Sequence, residues 1–530
     1  MVKRIRSLVP TCAALLLAPA LAAGQAPLAG APQSAVRVEG NTLLPESTLA
    51  GLSASLAGQA PDLPALTALA ARIQAAYRDA GYGGVVAYVP PQESSDGVLV
   101  VRVVEGKLAA VRVSGNAHFG SANIRAGLPH LREGETPRVR AIDRDIQLTN
   151  SNPSKHANVS LTAGARPGEI DADIVVTDES PLRYLVGYNN TGNSMTGLHR
   201  VSIGVEHANL FDRDHVATLQ LQTSPSDPGR VRIYSGGYRI PLYNHAASLD
   251  AFVAHSSVSN GTTATTAGPL TFRGQGTIVG LRANRHLTRL GEYDHQLTLG
   301  LDRRAYDDDC ALGDFGAAGC GTAAVDVTTV PVSLAYTGQK SGAALAYGFS
   351  ATVSTNAGGS SQRTFEAARP GAKRRYVLSR LTTFFQQPLT GQLALHARAE
   401  VQASAHSLIA AEKFGIGGAA SVRGYTEREL SGDSGMLLRL EASGASIDWE
   451  SGLRLRPYLF VDHGRVSNRG GLPCRGLDAT SCHLTGAGIG ARLALPRRAS
   501  ASLDIARAME RGATSSIGDV RAHASLQLAF

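Results

Sequence analysis

The stretch GIGGAASVRGYTERE, residues 415–429, combines closely spaced glycines with Arg423 in a Val-Arg-Gly-Tyr sequence. On both sides of it apolar and polar residues alternate, which is the pattern of β-strands whose two faces meet different surroundings. Glycine adopts positive φ without strain and lets other groups approach the backbone, so the stretch predicts a compact turn folded against neighbouring structure. The glycines concerned are Gly415, Gly417, Gly418 and Gly424.

Around this stretch, the chain from about residue 181 to residue 530 shows no helical periodicity. It consists instead of segments of roughly ten residues that alternate in polarity and are separated by turn residues. Leu297, Leu299 and Leu301, for example, alternate with threonine and glycine. About sixteen such segments fit into this length, which lies within the size range of outer-membrane barrels.

The last segment decides between a soluble β-sandwich and a barrel that spans lipid. Its apolar residues share one face, its polar residues share the other, and the chain ends on an aromatic residue. In lipid, closure of the sheet satisfies every backbone group, with the apolar face outside and the polar face lining the lumen. This ending is typical of the last strand of a bacterial outer-membrane barrel. The apolar face comprises Val520, Ala522, Ala524, Leu526, Leu528 and Phe530.

The N-terminal residues have the composition of a secretory signal peptide. Residues 1–6 carry three basic side chains, and an apolar run from Leu8 to Leu21 is followed by small residues. The run is too short for a membrane-spanning helix, and no later segment offers about 18 uncharged apolar residues. We predict a signal peptide over residues 1–23 and a short linker over residues 24–34.

An internal repeat follows the linker. VRVEGNTLLPESTLAGL begins at residue 36 and VRVSGNAHFGSANIRAGL at residue 111, so that a Gly-Asn pair recurs 75 residues later (115 minus 40). Each copy predicts a strand, a Gly-Asn turn, a short helix, a longer amphipathic helix and two further strands. The sequence therefore predicts two small α/β domains, residues 35–106 and 107–179.

Five cysteines are present, and Cys12 lies in the signal peptide, which leaves four in the mature chain. They form two local pairs, Cys310 with Cys320 and Cys474 with Cys482. Local pairs in an exported protein predict small disulfide loops in an oxidising compartment. A metal site is the alternative, but the spacing is not CxxC and no histidine cluster adjoins the cysteines. We expect neither a metal nor a cofactor.

The formal net charge of +8 would be compatible with a nucleic-acid partner or an anionic surface. The basic residues, however, are mostly scattered along the alternating segments and form no long run. We therefore interpret them as solvated faces and expect no nucleic-acid partner.

Two motifs suggest enzymes. Residues 432–435, GDSG, match the nucleophile signature of trypsin-like proteases, but a segment of alternating polarity follows at once. Residues 486–491, GAGIGA, resemble a dinucleotide-binding loop, but no helix of a βαβ unit follows. We predict that the first motif begins a strand, that the second supplies small residues to a crowded strand, and that the chain is not an enzyme.

The stretch around Arg423 resembles the conserved loop of two-partner secretion transporters, the TpsB branch of the Omp85 superfamily. The match covers residues 411–435, AEKFGIGGAASVRGYTERELSGDSG. Residues 458–466, YLFVDHGRV, are similar to the lumen-facing motif on the thirteenth barrel strand, and residues 189–197, NNTGNSMTG, resemble the first barrel hairpin. The two repeats resemble POTRA domains, so the resemblance covers the whole mature chain. It implies two periplasmic POTRA domains followed by a 16-stranded antiparallel transmembrane β-barrel over residues 181–530.

The resemblance also implies a site. Residues 406–432 would fold from the extracellular side into the lumen, where Arg423 would pair with Asp462 beside Phe460. A guanidinium bound by a carboxylate supplies charge-assisted hydrogen bonds that offset the entropy lost by an ordered loop. The loop motif consists of Val422, Arg423, Gly424 and Tyr425.

Family members often carry an N-terminal helix that plugs the pore. Residues 24–34 are short and rich in proline, glycine and alanine, so we predict no plug helix in this chain. The lumen would then be closed by the loop alone.

The function that the resemblance implies is export of a large, unfolded, β-rich partner of the TpsA type, such as a haemolysin, haemagglutinin or adhesin, without nucleotide hydrolysis. The partner would be captured through its N-terminal secretion domain by the periplasmic domains of a monomeric transporter. The barrel-assembly machinery would read Phe530 as a terminal signal, and outer-membrane lipid would surround the barrel of this Gram-negative protein.

Two other classes of protein remain as alternatives. An assembly factor that inserts other barrels shares the loop motif, but it would carry about five repeats where this sequence has two. A passive porin or receptor would lack periplasmic repeats or would carry a plug domain.

Overall fold

A computed structural model of the chain describes most of residues 35–530. The predicted signal peptide and linker, and the predicted pair Cys310 and Cys320, lie outside the described residues. The described ranges are 35–56, 61–92, 98–193, 196–229, 231–258, 261–272, 275–307, 325–390, 392–474 and 476–530.

The first compact unit comprises, in its described part, residues 35–80 and 85–105. Its three strands lie in the order β1-β3-β2, with β1 parallel and β2 antiparallel to the central strand. The longer helix begins where Asp62 accepts a hydrogen bond from the backbone N–H of Ala65 at 2.9 Å. The elements are β1 (Ala35–Glu39), α1 (Glu46–Ser53), α2 (Leu63–Asp79), β2 (Val85–Tyr88) and β3 (Val98–Glu105).

The second repeat has the same order of elements and the equivalent sheet, β4-β6-β5. Its buried core is built from the apolar faces of the sheet and of both helices, including Ile124, Ile142 and Ile174. It belongs to the same compact unit as everything that follows it. The elements are β4 (Lys107–Ser114), α3 (Ser121–Ala126), α4 (Val139–Thr149), β5 (Lys155–Ala163) and β6 (Glu169–Asp178).

The rest of the chain forms a closed antiparallel barrel. The barrel has sixteen strands, which we call staves. The short β23 (Ile447–Asp448) is counted with β22, because both pair with β24. The predicted fold class is therefore confirmed. The staves are β7 (Leu182–Asn189), β8 (Arg200–Leu210), β9 (His215–Thr223), β10 (Arg232–Leu242), β11 (Ala247–Ser256), β14 (Gly276–His286), β15 (Tyr293–Tyr306), β16 (Val327–Ser341), β17 (Ala346–Gly359), β18 (Val377–Thr390), β19 (Leu393–Ser404), β22 (Ser434–Ser443), β24 (Arg454–Ser467), β25 (Ser481–Leu495), β26 (Ala499–Ala508) and β27 (Val520–Ala529).

The barrel closes between its last and first staves, where Ser525 to Ala529 pair with Asn189 to Leu185. Closure leaves the sheet without a free edge, as a lipid environment requires. The outer face is apolar, with Leu299 57% and Leu459 62% exposed, whereas lumen-facing carboxylates such as Asp302 are buried. None of the helices in the described part of the chain is long and apolar enough to cross a membrane.

Two segments between staves lie against the lumen face of the wall. One is the predicted loop, whose strands β20 (Phe414–Ile416) and β21 (Leu430–Gly432) pair with each other. The other is a hairpin of β12 (Gly261–Thr265) and β13 (Gly268–Phe272), which contacts β9 and β10. The expectation that the loop alone closes the lumen therefore needs correction, because alternating polarity cannot show where an extracellular hairpin folds. One further helix, α5 (Gln362–Ala368), lies between β17 and β18.

Candidate functional site in the barrel lumen

The loop between β19 and β22 shares an apolar cluster with the barrel wall. Val422 and Tyr425 are completely buried, as are Ile416 and Leu430 on its two short strands. They pack with apolar residues of the wall in one cluster. The Tyr425 hydroxyl also accepts a hydrogen bond from the backbone N–H of Glu510 at 2.9 Å. This packing explains why a segment between two staves folds inward instead of extending into solvent.

Glycine is required on both sides of the contact between loop and wall. Gly424 has a φ of 96°, and a Cβ there would lie 3.1 Å from the backbone N of Ala508. Opposite it, a Cβ on Gly486 would lie 2.0 Å from the Arg423 carbonyl oxygen. Gly417 and Gly418 also have positive φ, and Gly415 leaves room for the Arg428 side chain. Any side chain at Gly424 or Gly486 would therefore push the loop away from the wall.

Arg423 is bound by Asp462 through both ends of its guanidinium. Nε donates to Oδ2 at 2.6 Å and Nη2 donates to Oδ1 at 2.8 Å. The backbone N–H of Arg423 also donates to Oδ2, at 3.1 Å. Both residues are 0% exposed. A bidentate pair with a third hydrogen bond is the geometry in which a buried arginine and carboxylate compensate each other's desolvation.

Two further carboxylates complete the surroundings of Arg423. Its Nη1 lies 3.0 Å from Oδ1 of Asp504 on β26 and 3.0 Å from Oε1 of Glu441 on β22. The Tyr458 hydroxyl donates to the same oxygen of Asp504 at 2.6 Å. The sequence alone does not predict either carboxylate. Alternation places them on the lumen face, but it cannot show which staves meet at the height of Arg423.

The charges around Arg423 are balanced by two more arginines. Arg492 donates to Glu441 at 2.6 Å, and Arg439 Nε lies 3.5 Å from Asp462 Oδ1. Three guanidinium groups thus alternate with three carboxylates across four staves and the loop. Such a network leaves no net charge buried, which lowers the desolvation cost of the site.

The rings of Phe460 and Tyr458 lie beside the Arg423 guanidinium. The Arg423 Cζ lies 3.4 Å from the centroid of the Phe460 ring, a cation–π contact, and 6.0 Å from that of Tyr458. Room for these rings comes from the glycines of β25. A Cβ on Gly488 would lie 2.8 Å from the Phe460 ring, and one on Gly490 would lie 2.4 Å from the Tyr458 ring. The segment that resembles a dinucleotide loop is thus part of a barrel stave.

The base of the loop has separate anchors, which the sequence alone does not predict either. Buried Asp433 is bound by both guanidinium nitrogens of Arg369 and accepts from the backbone N–H groups of Leu408 (2.8 Å) and Arg469 (2.7 Å). It is the aspartate of the GDSG segment, which directly precedes β22. At the start of the loop, buried Glu412 accepts from Arg304 at 2.9 Å. The ends of the loop are therefore held independently of Arg423.

The other predicted residues lie apart from this network. Cys474 and Cys482 form a disulfide after the thirteenth stave, and both join the apolar cluster of the loop. Phe530 is 72% exposed, and its backbone exchanges two hydrogen bonds of 3.0 Å with Tyr184 at the barrel seam. Among the described residues there is no cluster of three side chains that could hold a metal ion.

Residues 168–493 match the family model of the haemolysin secretion/activation protein ShlB/FhaC/HecB, and residues 32–106 match that of the ShlB-type POTRA domain. The outer membrane transporter CdiB of Escherichia coli is 25% identical over 478 residues, which cover 86% of this chain and 77% of that protein. The heme/hemopexin transporter protein HuxB of Haemophilus influenzae is 24% identical over 46% of this chain and 41% of that protein.

Among solved structures, CdiB from Escherichia coli superposes with a TM-score of 0.76 at 20% identity. The superposition covers 94% of this chain and 90% of that one, which shows that the fold is shared. Together with the site geometry, these findings define the class: an outer-membrane transporter of two-partner secretion in the Omp85 superfamily, with its POTRA region in the periplasm. Since the family model matches more than half of its residues, the chain belongs to the ShlB/FhaC/HecB family of haemolysin secretion/activation proteins.

Proposed function

We propose that this transporter exports one large, unfolded, β-rich TpsA-type protein through its barrel to the cell surface, without nucleotide hydrolysis. The observation that carries the proposal is the combination of a lumen loop bound through Arg423 with periplasmic repeats, which a passive porin would lack. Loop and wall are joined through buried polar groups rather than through the barrel ladder. The loop can therefore move while the barrel stays closed.

The periplasmic repeats would capture the partner. In each three-stranded sheet the two outer strands, β1 and β2 in the first and β4 and β5 in the second, pair with one strand only. Within the described residues their other edges have no partner strand. Unpaired edges bind extended polypeptide by adding it as a further strand. We therefore assign to the repeats the capture of the partner's N-terminal secretion domain.

Export through such a pore draws its free energy from folding of the partner on the outer side. A chain that folds after it emerges cannot easily return through the barrel. The residues around Arg423 bind and orient a loop. Phe530 at the seam, with its side chain exposed, suits recognition by the barrel-assembly machinery during insertion.

The test is deletion of the first repeat, residues 35–104. The barrel closes without these residues, so it should still insert and retain heat-modifiable migration on gels. A large protein found in the medium of wild-type cells should instead accumulate in the periplasm or be degraded. The control is the full-length transporter with Arg465→Ala, a change at an exposed residue of β24.

Two results would contradict the proposal. If deletion of the whole chain removes no large protein from the medium, the chain is not an exporter of such a partner. If the barrel without the first repeat exports at the normal rate, that repeat does not capture the partner.

A further inference from the structure

The hairpin β12–β13 leaves the barrel on the extracellular side, between β11 and β14, and folds back against the staves β9 and β10. It meets their lumen face. Leu219 and Tyr234, on the opposite face of the same staves, are 63% and 43% exposed, whereas Ser235 is 6% exposed. Gln220, Ser235 and Arg239 point to the hairpin, and we call these three residues the wall site.

The wall site binds the hairpin with five hydrogen bonds. Gln220 Oε1 accepts from the backbone N–H of Ala264 at 2.6 Å and from the Thr263 hydroxyl at 3.0 Å. Ser235 Oγ donates to the Ala264 carbonyl oxygen at 2.8 Å and bonds the Thr263 hydroxyl at 2.6 Å. Arg239 Nη2 donates to the carbonyl oxygen beyond them, that of residue 266, at 2.6 Å.

Three of these hydrogen bonds use backbone atoms of the hairpin, which any polypeptide possesses. The wall also leaves space for a backbone, because a Cβ on Gly237 would lie 2.6 Å from the backbone N of Thr266. Arg239 is oriented from behind by Asp250, which accepts from its Nε at 2.6 Å. A donor, an acceptor and an oriented cation along one wall therefore suit an extended chain of unspecified sequence.

The hairpin is not tied into the barrel ladder. Its two strands pair only with each other and form a separate two-stranded sheet, not part of the barrel ladder. An isolated two-stranded hairpin is marginally stable in water, so its place depends on the wall contacts. Any chain that offers the same backbone groups competes for them.

We propose that the wall site is a binding site for extended polypeptide backbone, occupied at rest by hairpin 261–272 and taken over by the exported chain. Only the second occupant of the wall site, the exported chain, rests on the proposed export function. Arg239 lies three residues before the end of β10 at Leu242, close to the periplasmic mouth. An incoming chain therefore reaches the tip of the hairpin before it reaches the extracellular side.

The first experiment fixes the hairpin in place. In the double variant Ser235→Cys with Thr263→Cys, the thiols replace hydroxyl oxygens that are 2.6 Å apart, within reach of a disulfide. The purified full chain is measured in planar bilayers before and after a reductant. The bridged form should lose channel openings, and reduction should restore them, while each single variant and the wild type show no such recovery. Failure of the bridge to form would overturn the resting position of the hairpin, and a bridge that forms without changing openings would overturn its departure from the wall site.

The second experiment tests the exported chain. The probe is the large protein that is lost from the medium when the transporter gene is deleted, stalled during export by a folded C-terminal fusion. A photo-crosslinking amino acid in place of Gln220 should capture it, and the same group in place of lipid-facing Leu219 should not. Capture from other lumen positions but not from position 220 would overturn the wall site. Absence of any protein lost from the medium would overturn the proposed export function and leave the bilayer result standing.

Discussion

At the scale of single residues, Arg423 is the centre of the lumen site. It is completely buried, and three carboxylates and an aromatic ring surround its guanidinium. Lysine could supply the charge but not the planar fork that binds Asp462 through two nitrogens. The contacts therefore require arginine and not merely a cation at this position.

We predict that Arg423→Ala inserts normally but exports poorly and makes the loop sensitive to protease. Loss of one partner of a buried pair costs about 3–5 kcal/mol, because the remaining charges stay desolvated. Asp462→Ala should be milder, since Asp504 and Glu441 still bind the guanidinium, and Arg423→Lys should be partly active. Export and loop cleavage are measured for each variant.

The double variant of Arg423 and Asp462 decides whether the two residues act together. If they do, its defect is smaller than the sum of the two single defects. Arg465→Ala, on the same stave as Asp462 but exposed, should behave as the wild type. Fully additive effects would show that the two side chains do not act as a pair.

At the scale of elements, each periplasmic repeat holds its Gly-Asn turn with a carboxylate at the end of its last strand. Glu105 accepts from the backbone N–H of Thr42 at 2.7 Å, and Asp178 accepts from those of Ala117, His118 and Phe119. Burial raises the pKa of both carboxyls. Hydrogen bonds from the Thr42 hydroxyl and backbone to Glu105, and from the three backbone groups to Asp178, outweigh burial, so each pKa lies below its ordinary value. The turn that reveals the repeat in the sequence is thus fixed by a residue about sixty positions away.

We predict that the second turn loosens in acid. Because the folded pKa of Asp178 is lowered, its contribution to stability is full above the unfolded pKa of about 3.9 and is lost as the pH falls through the folded pKa. Hydrogen exchange of the amides of residues 117–119 should therefore be faster in Asp178→Asn than in the wild type at neutral pH. The difference should persist down to about pH 4 and vanish only below the lowered folded pKa of Asp178. Glu133→Gln, an exposed carboxylate, is the control, and a difference that persists in acid would contradict the assignment.

The two cysteine pairs also belong to this scale. Cys474 and Cys482 are bonded, and their loop lies on the extracellular side after an odd-numbered stave. Cys310 and Cys320 lie between β15 and β16, after the seventh stave, and their disulfide remains a prediction. Peptide mapping without reduction should find two local links. A crossed link between the pairs, or free thiols, would refute the predicted pairing.

At the scale of the whole molecule, the second repeat is joined to the periplasmic turns of the barrel by a buried polar cluster. Lys155 on β5 forms an ion pair with Asp214, next to β9, and both side chains are almost completely buried. The Tyr243 hydroxyl donates to the same carboxylate, and Asn152 donates to the Ala208 carbonyl oxygen at 2.7 Å. Burial lowers the pKa of Lys155, although Asp214 opposes this shift. The joint holds the repeat in one place relative to the barrel mouth.

We predict that Lys155→Met leaves the barrel inserted but loosens this joint. Asp214 would remain buried without its cation, at a cost of about 3–5 kcal/mol. Protease should then cleave between the second repeat and the barrel, and export should fall. Lys107→Met, at an exposed lysine of the same domain, should change neither. Unchanged cleavage and export in Lys155→Met would show that the joint is not needed.

The sequence by itself determined the barrel and its number of staves, because alternation with a period of 2 residues is a local property. It also determined the two copies of the small α/β domain, because the recurring Gly-Asn segments and the helical period of 3.6 residues are local as well. It also indicated the region of the loop through glycines whose backbone needs are local. Tertiary structure alone decided that Asp504 and Glu441 share Arg423 with Asp462, that Asp433 and Glu412 anchor the loop base, and that a second hairpin enters the lumen. Stagger and closure bring these residues together from distant staves, and alternation specifies the face of a residue but not its height or its neighbours.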